Sequence, residues 1–563
     1  MRTELDRRMD GMIAKVTGPG GMLPVGEIER WGVKMPVIAA APPSLAHFFA
    51  HWCQQHETKT FLVAGDERLT FGETYAAAER VARGLAGRGI ARGDRVGIAA
   101  RNSPMWIVSY MGVLMAGGVA TLLNGWWRSG ELAAAVADVE CALIIADRPR
   151  AERLAAISGL APPVVALDDT APLAEAIAPL TGGPEGTLPE LGPDDLAVIL
   201  FTSGSTGVSK GALSDHRAVL QAVHNYLASA LMMLGLSLED GKTPPAQHVT
   251  MLNLPLFHVT AMVPTMLQSF AMGRRLVLLR KWDAVEAMRL IEAEGVTYFV
   301  GVPLMSFEIL DHPDRSRYDL STVADFAAGG APRPEEHVRR IHEEMGGSAP
   351  LIGYGLTETN AAGTGNWRTN YLAKPTSAGR PSPPLIEVAI LDDAGAQLPQ
   401  GERGEIAIRS VCNFREYWNN PAATAEAVTA DGFFRTGDLG YMDEDGYLFI
   451  VDRKKDIIIR GGENISCLEV ESALYGHPSV KEAAVFGLPD QRFGEVPAAV
   501  VYLDDEPAST AELTAFLQDN LAAFKVPGRI WLSPDPLPRL GTEKIDKVGL
   551  RTAYRAIAAA EKV

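Results

Sequence analysis

The chain has 563 residues, 47% of them hydrophobic and 21% charged, which is the balance of a folded globular protein with length enough for several domains. A formal net charge of −17 argues against a nucleic-acid surface and confines any polyanion site to a local basic cleft. Cys53, Cys141, Cys412 and Cys467 lie far apart with no CxxC pair, which argues against a zinc site or disulfide framework and predicts reduced thiols in a cytoplasmic protein.

The first fifteen residues, MRTELDRRMDGMIAK, carry charge and no apolar stretch, so no secretory leader is expected. From about 60 to 350 strand-like runs alternate with helix-periodic ones: RVGIAA (95–100), RLVLL (275–279), AVEAMRLIEAEG (284–295), VTYFVGVP (296–303), VADFAAGG (323–330), EEHVRRIHEEMG (335–346) and PLIGYG (350–355). That alternation predicts βαβ units and parallel sheets. Two uncharged windows, 105–127 and 251–272, are long enough to cross a bilayer. Gly117-Gly118 divides the first, and Pro255, His258 and Pro264 interrupt the second, so both read as buried helix and strand, with no transmembrane span.

After about 384, short strands such as IEVAILDDAG, GEIAIRS and GYLFIVDR predict a small antiparallel module. A boundary near 453–456 divides an N-terminal domain, 1–453, from a C-terminal α+β domain, 454–563. The fold class is therefore α/β.

Six clusters carry chemistry. TSGSTGVSKG (202–211) follows the apolar run LAVIL and precedes a helix-periodic stretch. Its glycines allow backbone N–H groups to converge, Thr202, Ser203, Ser205 and Thr206 add hydroxyls, and Lys210 adds charge; together they form a phosphate cradle. It is not a nucleotide-triphosphatase loop, because Ser209 precedes the lysine and Gly211 follows it. AAGGAP (327–332) and YGLTET (354–359) both follow strands, where parallel sheets bind ligands. There Gly330, Ala331, Pro332 and Gly355 let a flat base approach, Tyr354 offers a stacking face, Thr357 a donor and Glu358 a magnesium ligand. Asp438 in RTGDLG (435–440) suits two ribose hydroxyls. DRKKDIIIRGGENIS (452–466) places Arg453, Lys454 and Lys455 at the boundary, and PRLGTEKIDK (538–547) places Lys544 close to the end. Each cluster alone reads equally well as an ordinary loop or a solvated charge.

In this order, the set resembles the adenylate-forming superfamily of acyl-CoA synthetases, luciferases and peptide-synthetase adenylation domains, from GDRVGIAARNSP (93–104) to Lys544. The resemblance implies ATP, Mg²⁺ and coenzyme A as cofactor and co-substrates. It casts Thr202, Ser203, Gly204, Ser205, Thr206, Gly207 and Lys210 as the phosphate loop, with Gly330, Ala331, Pro332, Tyr354, Gly355, Asp438 and Arg453 holding AMP. It casts Lys544, Thr357, Glu358 and His258 as catalytic, Glu358 as the metal ligand, and His258, in PLFH (255–258), as an aromatic gate. Lys455 matches a hinge by position, and Gly461, Gly462 and Glu463 would receive coenzyme A after the small domain rotates. Two departures stand out: Ser209 where the family has proline, and Glu543 where it has glycine before the tail lysine. A carboxylate beside Lys544 would offset part of its charge.

The implied function is an ATP-dependent acid–CoA ligase that forms acyl-AMP and then the thioester. An acyl-AMP ligase, a luciferase-like enzyme and a silent acyl-nucleotide binding protein remain open, as do peripheral membrane contact and a homodimer. PLFHVTA carries no acidic residue for an α-amino group, which disfavours an amino-acid substrate. The acid-pocket candidates Val259, Ala261, Gly329, Leu356, Asn360 and Ala361 are mostly small or apolar and point to a hydrophobic monocarboxylic acid, fatty or aryl-substituted.

Overall fold

Two large sheets share one apolar core. The computed structural model describes residues 2–202, 209–503, 508–540 and 544–561. The first sheet has seven strands, in the order Glu416–Tyr417, Gly211–Asp215, Leu196–Phe201, Val119–Leu122, Arg95–Ala99, Leu143–Asp147, Val164–Leu167. Its last five are mutually parallel and its first two antiparallel additions. The second sheet has nine strands and is parallel from Ala349–Tyr354 through Asp325–Gly329, Tyr298–Gly301, Val249–Leu252 and Arg275–Leu278 to Thr60–Ala64. The predicted alternation is thus realised as parallel βαβ structure.

All twelve residues of the helix Pro104–Met115 are buried, and its large apolar side chains share a cluster with Val96 and Ile98 of one sheet and Met251 and Phe299 of the other. A helix packed on every side must be apolar all round, which explains the first uncharged window. The second resolves into the strand Val249–Leu252, a π-helical turn Ala261–Leu267 holding Pro264, and the helix Gln268–Met272. Among the described residues, one helix, His216–Glu239, is long and apolar enough to cross a membrane, and most of it is buried inside the body.

A four-stranded antiparallel sheet, Glu387–Leu391, Gly404–Arg409, Phe434–Met442 and Leu448–Arg453, follows. Beyond it Ile458–Arg460, Glu463–Ile465, Val480–Asp490, Gly494–Leu503 and Arg529–Ser533 form a separate sheet, packed on the helices Cys467–Tyr475, Thr510–Asn520 and Lys547–Ala560. Gly461 and Gly462, at φ +60° and +93°, make the two-residue turn between its first two strands, where positive φ suits glycine. The four cysteines are buried free thiols.

Candidate active site

The parallel strands Asp325–Gly329 and Ala349–Tyr354 end on the same rim and deliver Gly330–Pro332 and Gly355–Ala361 there. Gly355 is required by packing, since a Cβ at that position would lie 2.0 Å from the Ala361 carbonyl oxygen. The loop closes through Ala361 N–H donating to the Leu356 carbonyl at 2.9 Å, and Tyr226 Oη donates to the Ala361 carbonyl at 2.6 Å. Asn360 and Ala361 both sit in the left-handed region, at φ 50° and 65°, a conformation that costs a non-glycine residue energy and clusters at functional sites. Gly330 has φ +77°, and a Cβ on it would lie 3.0 Å from Lys544 Cε and 3.1 Å from Nζ. The tail lysine therefore rests against the loop, across the part of that rim where a side chain would block it.

Two buried carboxylates flank this rim, each accepting a tyrosine hydroxyl. Glu358, 8% exposed, sits in the 3₁₀ turn Thr357–Thr359 and accepts from Tyr417 Oη on Oε1 at 2.6 Å. Tyr417 is brought there by the short edge strand Glu416–Tyr417, which pairs Tyr417 with Ala212 just after Lys210. The Lys210 ammonium lies 4.8 Å from the Tyr417 ring centroid. Asp438, 5% exposed, accepts from Tyr354 Oη on Oδ2 at 2.7 Å and faces Arg453 Nε from Oδ1 at 3.3 Å. Burial raises the pKa of both carboxyls; Tyr417 opposes it at Glu358, while Arg453, Tyr354 and Lys544 oppose it at Asp438.

The Lys544 ammonium is lowered to about 8, first by burial and then by Arg453, with Asp438 opposing both. His258 is pushed to about 3, first by burial and then by Lys544, so its imidazole is neutral. Its Nε2 is buried without a hydrogen-bond partner among the described residues, and its ring lies 4.5 Å from Phe257, which meets Trp126 at 5.1 Å. A neutral ring in an aromatic row is suited to gating and poorly suited to acid catalysis.

A family model described as AMP-binding enzyme matches residues 49–418, and one described as AMP-binding enzyme C-terminal domain matches 469–544. The chain belongs to the AMP-binding enzyme family. A long-chain-fatty-acid–CoA ligase of Bacillus subtilis is 33% identical over 86% of this chain and 90% of its own length. A feruloyl-CoA synthase of Amycolatopsis is 34% identical over 87% of this chain and 95% of its own. The crystal structure of ATP-bound MatB from Rhodopseudomonas palustris superposes with a TM-score of 0.78 at 31% identity, covering 91% of this chain and 99% of that one.

Seen as an AMP-binding enzyme, the chain brings together most of the residues singled out from its sequence. Thr202 N–H donates to the Lys210 carbonyl at 2.9 Å, pinning both ends of the phosphate loop; Ser203, Gly204, Ser205, Thr206 and Gly207 lie outside the described residues, as does Glu543. Gly330, Tyr354, Gly355, Thr357, Glu358, Asp438, Arg453 and Lys544 line one rim. Gly461, Gly462 and Glu463 form an exposed turn in the C-terminal sheet, and Lys455 is exposed.

Asn360 ties the rim to the body. Its side chain is fully buried, with Nδ2 donating to Ser214 Oγ at 3.0 Å and to the Cys412 carbonyl at 2.9 Å. It is a strut tying the rim to the first sheet, and its Oδ1 is buried without a hydrogen-bond partner among the described residues. Ala261 is fully buried, at the start of the π-helical turn.

Sequence reading missed Tyr417 and Asp452. Tyr417 lies in REYWNN, whose spacing signals nothing; only the edge-strand pairing places it. Asp452, 2% exposed, accepts the N–H groups of Cys467 and Leu468 on Oδ2, capping the helix Cys467–Tyr475 from across the charged link. The acid at the head of DRKKD, just before the charged link, was the available signal.

Proposed function

We propose that this enzyme is an ATP-dependent carboxylic acid–CoA ligase, forming acyl-AMP with release of pyrophosphate and then the acyl-CoA thioester with release of AMP. The observation that supports it best is the Lys544 ammonium set against Gly330, on the rim flanked by Glu358 and Asp438.

In the first step a carboxylate oxygen of the acid bonds to the α-phosphorus of ATP and the bond to the β-phosphate oxygen breaks. Negative charge builds on the phosphates, and Lys544 and Lys210 stabilise it, with the N–H groups of residues 203–207 assigned to the same task by the sequence motif. Asp438 accepts from the ribose hydroxyls, and its contact with Arg453 opposes the rise in pKa that burial imposes on it. The donors present suit magnesium bound through nucleotide phosphates: Glu358 is one buried carboxylate with lone pairs beyond the one Tyr417 takes, and no cluster of three His, Cys, Asp or Glu occurs among the described residues. Such an ion is held by one or two carboxylates plus phosphate oxygens. When bound it neutralises phosphate charge.

In the second step the thiol of coenzyme A bonds to the acyl carbon, the acyl–phosphate bond breaks, AMP departs and the thiol proton passes to solvent. We infer a domain boundary at 453–456, with residues 454–563 rotating about Lys455 to withdraw Lys544 and present Gly461, Gly462 and Glu463. The walls Val259, Ala261, Gly329, Leu356, Asn360 and Ala361, none of them charged, favour a hydrophobic monocarboxylic acid. A second charge buried there unpaired would cost several kcal/mol, on the order given for unpaired buried ions, and each methylene left unburied forgoes ~0.8 kcal/mol. The fatty-acid and feruloyl specificities of the two relatives support both the alkyl and aryl forms. Four buried free thiols fit a reducing compartment such as the cytoplasm.

The test is a pyrophosphate-release screen over acids graded in length and shape, with and without coenzyme A. Acid-dependent release with CoA-dependent thioester supports the reading; release without thioester means an acyl-AMP ligase, light emission means a luciferase-like enzyme, and no release with any acid means a binding protein. Highest kcat/KM for acetate, a dicarboxylate or an amino acid would overturn the pocket assignment.

A further inference from the structure

Val480 lies opposite Leu503 and Glu482 opposite Tyr502 on the neighbouring strand, so the register slips between them and leaves Lys481 outside the ladder. Such a bulge turns a side chain out of the regular alternation. The displaced ammonium leaves its own sheet and reaches Asp311, the last residue of the helix Pro303–Asp311 in the large body, with Nζ 3.2 Å from Oδ2. It also stands 5.4 Å from the centroid of Phe307 on that helix, and Phe307 stacks on His337 at 4.1 Å. A cation is well placed at a helix C-terminus. Asp311 is already oriented to receive it, because Arg340 Nη2 holds its other oxygen at 2.9 Å and Glu344 holds Arg340 Nε at 2.7 Å.

The adjacent residue serves a different partner. Glu482 is buried, accepts the Leu537 N–H at 2.7 Å and pairs with the Arg539 guanidinium. Leu537 and Arg539 are the base of the segment that carries Lys544, whose carbonyl accepts the Leu540 N–H at 2.8 Å. Two neighbouring residues of one strand thus connect a fixed helix of the body to the foot of the Lys544 segment.

We propose that the Lys481–Asp311 contact is a docking latch that positions Lys544 against Gly330 for adenylate formation and opens for thioester formation. The proposal rests on the ligase reading and deepens it. Lys481 and Asp311 are positioning residues, acting on the reaction through the placement of Lys544. They bias the enzyme toward its first half-reaction, so weakening the contact slows that step and spares or favours the second.

The test measures both half-reactions separately: acid-dependent ATP–pyrophosphate exchange, and thioester formation from supplied acyl-AMP and coenzyme A. Asp311→Asn and Lys481→Met should each lower the exchange kcat roughly two- to fivefold, the range expected of a partly exposed ion pair. Thioester formation should be unchanged or faster. The double variant should lose no more than either single one, as for residues acting through one contact, and Lys481→Arg should restore exchange. A folding defect lowers both half-reactions in proportion, so their ratio separates the latch from loss of folded enzyme. An unchanged ratio, additive losses, or a fall confined to the thioester step would each overturn the latch. Wild-type enzyme inactive in both assays counts against the ligase reading, whereas active wild type with an unchanged ratio in the variants counts against the latch alone.

Discussion

On the body side of the site, Glu358 and Asp438 are almost wholly buried and each accepts a tyrosine hydroxyl. On the C-terminal side, Lys544 is only partly enclosed, and its segment hangs from Glu482 through Arg539 and the Leu537 amide. The first arrangement is set by packing and cannot be altered without disturbing two sheets. The second is set by a few charges and hydrogen bonds, which can be made and broken at modest cost. On the proposed reading, groups that stay in place through both half-reactions sit on the first side, and groups that move between them sit on the second.

The largest effect that could break this comparison is expected at Lys544. Lys544→Ala should reduce ATP–pyrophosphate exchange by roughly 10²–10³-fold, the scale of losing one transition-state charge stabiliser, while thioester formation from supplied acyl-AMP changes little. Equal loss of both would place Lys544 with the body groups. Next is Lys455→Pro, which fixes φ where the chain is proposed to turn. Exchange should survive and thioester formation should fall by roughly tenfold or more; unchanged overall turnover would move the pivot elsewhere.

Glu358→Gln probes the body side. It keeps the shape and an acceptor for Tyr417, so the thermal unfolding midpoint should hold. Removing the charge should slow exchange by about tenfold, ~1.4 kcal/mol of transition-state stabilisation, and magnesium titration should show a weaker apparent dependence. A full-rate variant would dismiss Glu358 as the metal ligand. The smallest effect is in pH. With its pKa lowered from 10.5 to about 8, Lys544 loses its proton above pH 8, so kcat/KM for ATP in exchange should fall as pH rises past that point, and Lys544→Arg should carry the falling limb to higher pH. Stability runs the other way: between about pH 8 and 10.5 the unfolded chain holds a proton the folded one has released, so this lysine's unfavourable contribution fades as pH rises. Comparing wild type with Lys544→Met by thermal unfolding across that window checks the sign.

Local chemistry made much of this legible. Positive φ at Gly330, Gly437, Gly461 and Gly462 is demanded by backbone sterics within a few residues, so glycine clusters marked the loops, and apolar periodicity marked the strands that deliver them. Alternation alone was enough to predict the parallel sheets, and the order of the clusters pointed to the family. Tertiary structure alone decided the partners. Tyr417 and Glu358 are 59 positions apart and Tyr354 and Asp438 are 84 apart; neither pairing leaves a trace in local propensity, because it depends on which edge strand docks beside which loop. Asn360 shows the same limit from the other direction, since its place in the motif suggested a pocket wall and gave no sign that its Nδ2 donates to Ser214 and to the Cys412 carbonyl. Lys481 is also invisible beforehand: a one-residue slip in a strand register redirects a side chain, and register is fixed by the pairing of two strands, which no single segment encodes.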